Sequence, residues 1–419
     1  MTEKTLSLNK DQNSQKQDED IDNLLGKMTG HEFFKAGFER LTPLFSPFND
    51  WIQHQNIKVI TIGGTNGKGG TVYFLEALCK HAKLNIASFT SPHIVSTTER
   101  IKYNGLNIDE NLLFDLINES KKETEDFQLS YYELLFFVFL KYIKCLKNLD
   151  YIILEVGLGG RLDAVNQIDS SIAAVVSISR DHTEILGTKL KNILNEKMAI
   201  ARPHQYFITT IEQQFLRETV AEMTQKNNIK WIDLFATNEI NKNDDYQLRN
   251  YKLACSIFSL LSQSERLPLN SIPPAKGRGE MMTLGQRSFI FIGAHNVDGI
   301  RKMTHHLVTQ GSEFELICIS FSKRSAKEIR QCLEIIASAP CLSKNIWLIP
   351  FNHIKASEKD VIMKILEEFL NSNESYKKRF KFVDDFKILL SKKSEFNKIL
   401  ITGSYYFIGE FQKLLESSR

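Results

Sequence analysis

The segment GTNGKGGT at residues 64–71 has the residue types that bind a phosphate group. It follows the apolar run KVITIGG, which begins at Lys58, and it opens a helical pattern. Glycines permit a tight turn in which successive backbone N–H groups face an anion, and the N-terminus of a helix adds a favourable dipole. Lys68 would add a positive charge. Because two glycines follow this lysine, the spacing departs from GxxxxGK[ST], and a glycine turn without a ligand is the alternative at this point.

A phosphate loop needs a sheet to position it, and the sequence predicts one. From about residue 58, β-rich runs alternate with amphipathic helical stretches, which is typical of a parallel sheet covered by helices. The predicted strands are KVITIGG from Lys58, YIILEVG at 151–157, SIAAVVSIS at 171–179, QYFITT at 205–210 and KWIDLF at 230–235. The apolar LLFFVFL at 134–140 is far shorter than the roughly 20 residues that span a bilayer, so it predicts a buried helix.

A second α/β domain is predicted towards the C-terminus. Its strands are SFIFI at 288–292, ELICIS at 315–320, NIWLIP at 345–350, KRFKFV at 378–383 and KILIT at 398–402. The resulting organisation is a flexible tail at 1–28, a central domain with a mainly parallel sheet at 29–264, a linker at 265–287 and a smaller α/β domain at 288–419. The linker is inferred from polar, proline-containing sequence that interrupts the periodicity.

Composition limits the classes of protein. Hydrophobic residues make up 42% and charged residues 25%, as in ordinary globular proteins. A net charge of +3 gives no sign of a nucleic-acid or membrane partner. The polar N-terminus lacks the apolar stretch of a signal peptide, which predicts a cytoplasmic protein. Six scattered cysteines without a CxxC pair predict reduced thiols, mostly in the core.

Five further motifs accompany GTNGKG. They are TSPHIVSTTERIKYNG at 90–105, EVGLGGRLDAVN at 155–166, SRDHTEILG at 179–187, NEKMAI at 195–200 and GAHN at 293–296. Together they resemble the dihydrofolate synthase/folylpolyglutamate synthase branch of the Mur ligase family, from about residue 30 to the C-terminus. The SPH…ER segment separates this branch from the cell-wall Mur ligases, which share the phosphate loop. ITGSYYFIGE at 401–410 resembles the end of the family's chains.

The resemblance implies an ATP-dependent carbon–nitrogen ligase of folate biosynthesis and polyglutamylation. Such an enzyme joins L-glutamate to dihydropteroate, to a reduced folate, or to both. ATP phosphorylates the acid, the amine of glutamate attacks the acyl phosphate, and ADP and phosphate are released. The resemblance also implies one or two Mg²⁺ ions and a monomer. The loop that contains Asp163 favours dihydropteroate.

The resemblance also implies roles for single residues. The residues expected at ATP are Gly64, Thr65, Asn66, Gly67, Lys68, Gly69, Gly70, Thr71, Arg278, His295 and Asn296. Those expected to be catalytic are Lys68, His182 and Lys197, where Lys197 matches a carbamylated lysine. Those expected at the metal are Glu155 and His182. Those expected at the acid substrate are Ser91, Pro92, His93, Arg100, Asp163 and Ala164.

The sequence alone supports these roles unequally. Glu155 ends an apolar strand directly before a glycine-rich loop, and carboxylate oxygen is a ligand that Mg²⁺ prefers. Taken singly, a histidine such as His182 is usually structural or exposed, and a helical lysine such as Lys197 usually faces solvent. The roles of these two residues therefore depend on the resemblance.

Several positions depart from the family pattern. Gly70 stands where the family usually has a Ser or Thr whose hydroxyl ligates magnesium, so Gly70→Ser should not lower ATP turnover if this position faces the ion. Ile292 replaces an aspartate before the AHN element, which predicts a missing nucleotide contact. Val297 replaces a proline, SKRS at 322–325 replaces an SDKD-like stretch, and Arg180 stands at a usually apolar position.

Three hypotheses follow from the sequence. The first is the folate ligase described above. The second is a catalytically impaired paralogue that binds nucleotide or folate, which Gly70 and Ile292 would favour. The third is an amide ligase of the same family with another acid substrate, against which the SPH…ER segment argues.

Overall fold

The computed structural model describes Ile21, Leu25, residues 38–391 and residues 395–418. The chain divides into two compact units, Met1–Ile272 and Pro273–Arg419. Within the predicted tail at 1–28, Ile21 and Leu25 are fully buried in the hydrophobic core of the first unit. At these two positions the chain is therefore part of a core, and the rest of the predicted tail lies outside the described residues.

The first unit contains an eight-stranded sheet with the order β4-β3-β2-β5-β1-β6-β7-β8. Its strands are β1 Lys58–Gly63, β2 Ile86–Phe89, β3 Ile101–Tyr103, β4 Leu106–Asn107, β5 Tyr151–Glu155, β6 Ile172–Val175, β7 Tyr206–Thr209 and β8 Lys230–Asp233. Only the pairings of β3 with β2 and β4 are antiparallel. Because β1 lies between β5 and β6 and all three are parallel, the loops that follow these strands leave the same edge of the sheet.

Helices surround this sheet. They are Thr42–His54, Lys68–His81, Glu110–Thr124, Tyr131–Lys144, Thr183–Leu186, Leu190–Met198, Gln214–Lys226 and Tyr246–Ser259. Tyr131–Lys144 contains LLFFVFL and is buried, as predicted. Its N-terminus has a capping box in which Ser130 and Glu133 satisfy each other's backbone N–H groups. Arg40 donates to both carboxylate oxygens of Glu133, at 2.8 Å or less.

The second unit contains a six-stranded sheet with the order β13-β12-β11-β14-β10-β9. Its strands are β9 Arg278–Leu284, β10 Arg287–Gly293, β11 Leu316–Ser320, β12 Ile346–Leu348, β13 Phe380–Phe382 and β14 Lys398–Gly403. Its helices are Val297–Thr309, Ala326–Ala337, Lys359–Ser372 and Tyr405–Ser417. Only β9 is antiparallel to its neighbour. The predicted α/β class is therefore confirmed for both units.

All ten predicted strands are present, but the predicted linker at 265–287 is wrong in part. Residues Arg278–Leu284 form β9, which pairs with β10 and belongs to the second unit. The mixed polar sequence of β9 concealed it, because an edge strand with one half-exposed face carries a weak apolar pattern. The short strands β2, β3 and β4 were also not predicted.

Two other predictions concern the whole chain. All six cysteines are free, and four of them are buried, as predicted. In the part of the chain that the structure describes, no helix has both the length and the apolarity that crossing a membrane requires.

Candidate active site

The predicted phosphate loop connects β1 to the helix Lys68–His81. Gly64 and Gly67 have φ of 140° and 97°, a region that residues with a side chain rarely adopt. The segment after β6 holds the loop, because the N–H groups of Thr65 and Asn66 donate to the carbonyl oxygen and the Oγ of Ser177, at 2.8 and 3.0 Å. The loop therefore has a fixed, turned backbone at the N-terminus of a long helix, which is the geometry that binds phosphate.

Two lysines meet at this loop. The Nζ of Lys68 donates to the carbonyl oxygens of Gly64 and Thr65, at 3.1 and 3.2 Å. The Nζ of Lys197 donates to the same oxygen of Gly64 at 3.0 Å. Lys197 is buried in the helix Leu190–Met198, and burial together with the charge of Lys68 lowers its pKa to about 7. The structure thus places both predicted catalytic lysines at one carbonyl group.

Position 70 faces a neighbouring helix. A Cβ added to Gly70 would lie 2.9 Å from Nδ2 of Asn250, and a Cβ added to Gly67 would lie 2.5 Å from its Oδ1. Asn250 belongs to the helix Tyr246–Ser259 and is buried. The expectation that position 70 faces a metal ion stays a prediction, and a side chain here would also have to accommodate Asn250. The hydroxyl of Thr71 donates to the carbonyl of Gly67 at 3.1 Å and is fully buried.

Glu155 lies at the end of β5 and is only 3% exposed. Its Oε2 accepts a hydrogen bond from the backbone N–H of Ser91 at 3.1 Å, so two residues predicted for different roles are in contact. Tyr132 fixes the backbone here, because its hydroxyl donates to the carbonyl of Glu155 and accepts from the N–H of Gly157, at 3.1 and 3.0 Å. Burial raises the pKa of Tyr132 well above its usual value, so this phenol stays protonated.

Asp163 and Ala164 shape the loop that follows β5. The carboxylate of Asp163 accepts from the N–H groups of Leu158 and Val165, at 2.8 and 3.1 Å. Burial raises the pKa of Asp163 to about 6, although these N–H donors oppose the shift. Ala164 is buried in the hydrophobic core. Asp163 therefore stabilises the backbone of the loop and Ala164 packs in the core. The role of both residues in substrate binding stays a prediction.

The SPH…ER segment is held by its own side chains. Arg100 is 2% exposed, its Nε donates to Nδ1 of His93 at 3.0 Å, and its guanidinium lies 5.1 Å from the ring centroid of Tyr131. Since Nδ1 of His93 accepts this hydrogen bond, the proton of the neutral ring is on Nε2. Pro92 is exposed. The buried arginine thus sets the orientation of the histidine.

His182 donates a hydrogen bond from its backbone N–H to Oδ1 of Asp181 at 3.2 Å. Its side chain is 47% exposed, its φ is 48°, and its Nδ1 lies 3.6 Å from a carboxylate oxygen of Glu184. Among the described residues, no three His, Cys, Asp or Glu side chains are grouped as metal ligands. The roles of Glu155 and His182 at a metal ion stay predictions.

The second unit contains the other residues predicted to contact ATP. Nη1 of Arg278 donates to the hydroxyl of Tyr405 at 2.8 Å, and the ring of His295 lies 5.6 Å from the ring of Tyr405. Asn296 caps the helix Val297–Thr309, since its Oδ1 accepts from the N–H of Gly299 at 2.7 Å. Arg278 and His295 are thus brought together by Tyr405, whereas Asn296 has a capping contact.

The remaining departures from the family pattern have packing, capping or hydrogen-bonding contacts. Ile292 is 6% exposed within the apolar core of the second unit. Val297 begins a helix directly after its cap. In SKRS, Ser325 caps the helix Ala326–Ala337 by accepting from the N–H of Glu328 at 3.3 Å. Arg180 is exposed and donates to the carbonyl of Thr188 at 3.1 Å.

Four residues with contacts to the site were not predicted. They are Tyr132, Ser177, Asn250 and Tyr405. Each lies far in sequence from the residue that it contacts, so no local spacing could reveal the contact. The available signal was their position in or beside predicted elements, since Ser177 lies in the strand predicted at 171–179 and Tyr405 lies in the motif at 401–410.

Known proteins resemble this chain over most of its length. It is 24% identical over 425 residues to the dihydrofolate synthase/folylpolyglutamate synthase of Bacillus subtilis (strain 168), covering 91% of this chain and 95% of the relative. The structure of E. coli FolC in complex with DHPP and ADP has a TM-score of 0.75 at 22% identity, covering 94% and 97% of the two chains. A bifunctional folylpolyglutamate synthase/dihydrofolate synthase with Mn, AMPPNP and L-glutamate bound has a TM-score of 0.75 at 21% identity, covering 93% and 96%.

The family is established by the first unit. Residues 62–272 match the sequence profile of the Mur ligase middle domain, and this range includes the phosphate loop, Glu155 and Lys197. The match covers half of the chain and ends where the first unit ends. The chain belongs to the Mur ligase family.

Proposed function

We propose that this protein is an ATP-dependent carbon–nitrogen ligase that joins L-glutamate to dihydropteroate, to a reduced folate, or to both. The observation that carries the proposal is the convergence of Lys68 and Lys197 on the carbonyl of Gly64, inside a glycine loop at a helix N-terminus. Relatives named dihydrofolate synthase/folylpolyglutamate synthase, matched over most of their length, support the choice of substrates.

ATP would bind with its phosphates at the loop 64–71. Backbone N–H groups and the helix dipole would meet the phosphate oxygens, and Lys68 would neutralise part of their charge. In the second unit, Arg278 and His295 are the residues proposed to contact the nucleotide. A fixed cation such as Lys68 would favour the reaction where it meets charge that develops in the transition state.

Mg²⁺ is the proposed metal, with Glu155 as its protein ligand and His182 as a second candidate. The carboxylate of Glu155 is a hard oxygen donor held in place by Ser91, which fits Mg²⁺ bound mainly by phosphate and water. When bound, the ion would stabilise negative charge on the phosphates.

Lys197 is proposed to be carbamylated. The pKa of about 7 gives a large fraction of neutral amine at neutral pH, and only the neutral amine reacts with CO₂. The amine nitrogen bonds to the carbon of CO₂ and loses one proton, which leaves a carbamate anion. The cation at the loop would thereby become an anion that can bind a divalent ion.

The chemistry then has two steps. The carboxylate of the acid attacks the γ-phosphorus of ATP and ADP leaves. The amine of glutamate attacks the acyl carbon, phosphate leaves, and the nitrogen loses a proton. The segment with Ser91, Pro92, His93 and Arg100, and the loop with Asp163 and Ala164, are proposed to bind the acid. We further propose that the protein works as a cytoplasmic monomer without nucleic-acid or membrane partners.

An impaired paralogue is not favoured. That hypothesis depended on Gly70 and Ile292, and both residues have packing reasons for their identity. Gly70 lies against Asn250, and Ile292 lies in an apolar core. A ligase for a different acid stays an alternative that the choice of acceptor tests.

The test is ADP release by the purified protein with ATP, Mg²⁺ and L-glutamate, comparing dihydropteroate, tetrahydrofolate and no acceptor. We expect release that depends on an acceptor, and its loss in Lys68→Met. Lys80→Met is the matched control, because Lys80 is exposed on the same helix. Release that is independent of both acceptors would contradict a folate ligase.

A further inference from the structure

Tyr405 is the first residue of the helix Tyr405–Ser417 and directly follows the turn after β14. It is 9% exposed, and its side chain contacts two residues of the proposed nucleotide site. The hydroxyl accepts from Nη1 of Arg278 at 2.8 Å, and the guanidinium lies 5.2 Å from the ring centroid. The ring of His295 lies 5.6 Å from the same ring, inclined by 52°.

The strand end beside Tyr405 leaves space for this ring. A Cβ at Gly293 would overlap Cε1 of Tyr405, so the ring lies directly against the backbone at the end of β10. Any side chain at position 293 would displace the ring. Gly293 is the first residue of GAHN, so the phenol packs against the start of the proposed nucleotide segment.

Ile292, which pairs with Arg278 in the sheet, has a side chain without a hydrogen-bond acceptor. Arg278 in β9 is the register partner of Ile292 in β10, at an irregularity of the pairing between Phe291 and Ile292. Ile292 is apolar and points into the core. Tyr405 follows β14, which pairs with β10 on the edge opposite β9. Its side chain supplies both a hydroxyl oxygen and an aromatic face to Arg278.

We propose that Tyr405 is a positioning residue for the nucleotide site, fixing the guanidinium of Arg278 and the ring of His295. This inference rests on the proposed function, since it assigns Tyr405 to the binding of ATP. An arginine whose plane is held by a hydrogen bond and by an aromatic face loses less conformational freedom when it binds phosphate. Tyr405 acts through Arg278 and needs no contact with the nucleotide itself.

The test measures nucleotide affinity in the full chain by calorimetry with a non-hydrolysable ATP analogue, together with KM and kcat. Tyr405→Phe keeps the ring and removes the acceptor, and we expect the dissociation constant and the KM for ATP to rise about fivefold to tenfold. The KM for the acid substrate and the midpoint of thermal unfolding should match the wild type. Tyr405→Leu, which also removes the ring, should weaken ATP binding further.

Two controls separate positioning from general folding. Tyr406→Phe removes the next hydroxyl on the same helix, which lies near Lys355, and should leave ATP affinity unchanged. In an Arg278→Met background, Tyr405→Phe should have no further effect on ATP affinity, because the group that it positions is gone. An equal loss in both backgrounds would overturn the inference.

The outcomes also distinguish this inference from the proposed function. If the wild type binds the ATP analogue and Tyr405→Phe binds it equally well, the positioning role is wrong and the ligase proposal stands. If the folded wild type does not bind the analogue, both are wrong.

Discussion

The Nζ of Lys197 lies 3.0 Å from the carbonyl oxygen of Gly64, the same oxygen to which Lys68 donates at 3.1 Å. Two cations on one carbonyl repel each other, and one of them is buried. The pKa of Lys197 falls to about 7, first because of burial and second because of Lys68. A pKa of about 7 leaves part of the Lys197 amine neutral beside the glycine loop at physiological pH.

Carbamylation of Lys197 should increase with pH. With a pKa of about 7, the neutral fraction rises from about a tenth at pH 6 to about nine tenths at pH 8. At a fixed concentration of dissolved ¹³CO₂, the carbamate signal in ¹³C NMR should increase over this interval. Lys197→Met should lack the signal, and an unchanged signal in that variant would place the carbamate elsewhere.

Gly70→Ser should destabilise the protein. Its Cβ would lie 2.9 Å from Nδ2 of the buried Asn250, so this side chain must shift, and overpacking that the shift of one side chain relieves lies at the lower end of the ~1–3 kcal/mol range. Urea denaturation of Gly70→Ser should show this loss, and the KM for ATP should rise because the loop is displaced. In an Asn250→Ala background the same substitution should cost much less. A stable and more active Gly70→Ser would instead support the interpretation of position 70 as a metal-facing site.

Glu155→Gln should raise the Mg²⁺ concentration that gives half-maximal ATP turnover, by about tenfold or more, since the carboxylate is the proposed ligand. The amide oxygen of glutamine still accepts from the N–H of Ser91, so the backbone contact is kept. A titration with Mg²⁺ at fixed ATP measures the change. Glu125→Gln is an exposed control, and an equal shift in both variants would exclude a specific role for Glu155.

Tyr132→Phe should lower the free energy of unfolding by ~1–3 kcal/mol, because it leaves the N–H of Gly157 and the carbonyl of Glu155 without their buried partner. Denaturant unfolding measures this value. The half-buried Tyr142 provides the control, as Tyr142→Phe should change stability little. Similar stabilities for the two variants would contradict the role assigned to Tyr132.

The elements of this fold were predictable where the sequence has strong apolar periodicity. β1, β5, β6 and β7 are buried strands, and each was identified from a short apolar run. β9 was missed because it is an edge strand with exposed residues such as Met281, which weakens the alternation. The predicted linker therefore contained a strand of the second unit.

The site was predictable only in its local motifs. GTNGKGGT follows a strand and opens a helix, and that context indicates a phosphate loop without any knowledge of the fold. The contacts of Asn250, Tyr132 and Tyr405 were not predicted, because they join distant parts of the chain. Position 70 is an example: a side chain there would lie against Asn250, and no residue spacing within the loop indicates this contact.

The contact between Asn250 and the glycine loop also bears on how the protein is made. The ribosome synthesises the loop long before the helix Tyr246–Ser259. A nascent chain that ends before this helix has β1 and its glycines, but it lacks the side chain that packs against Gly67 and Gly70. We therefore expect the ability to retain nucleotide to arise only when synthesis has passed residue 259, after all eight strands of the first sheet have been synthesised.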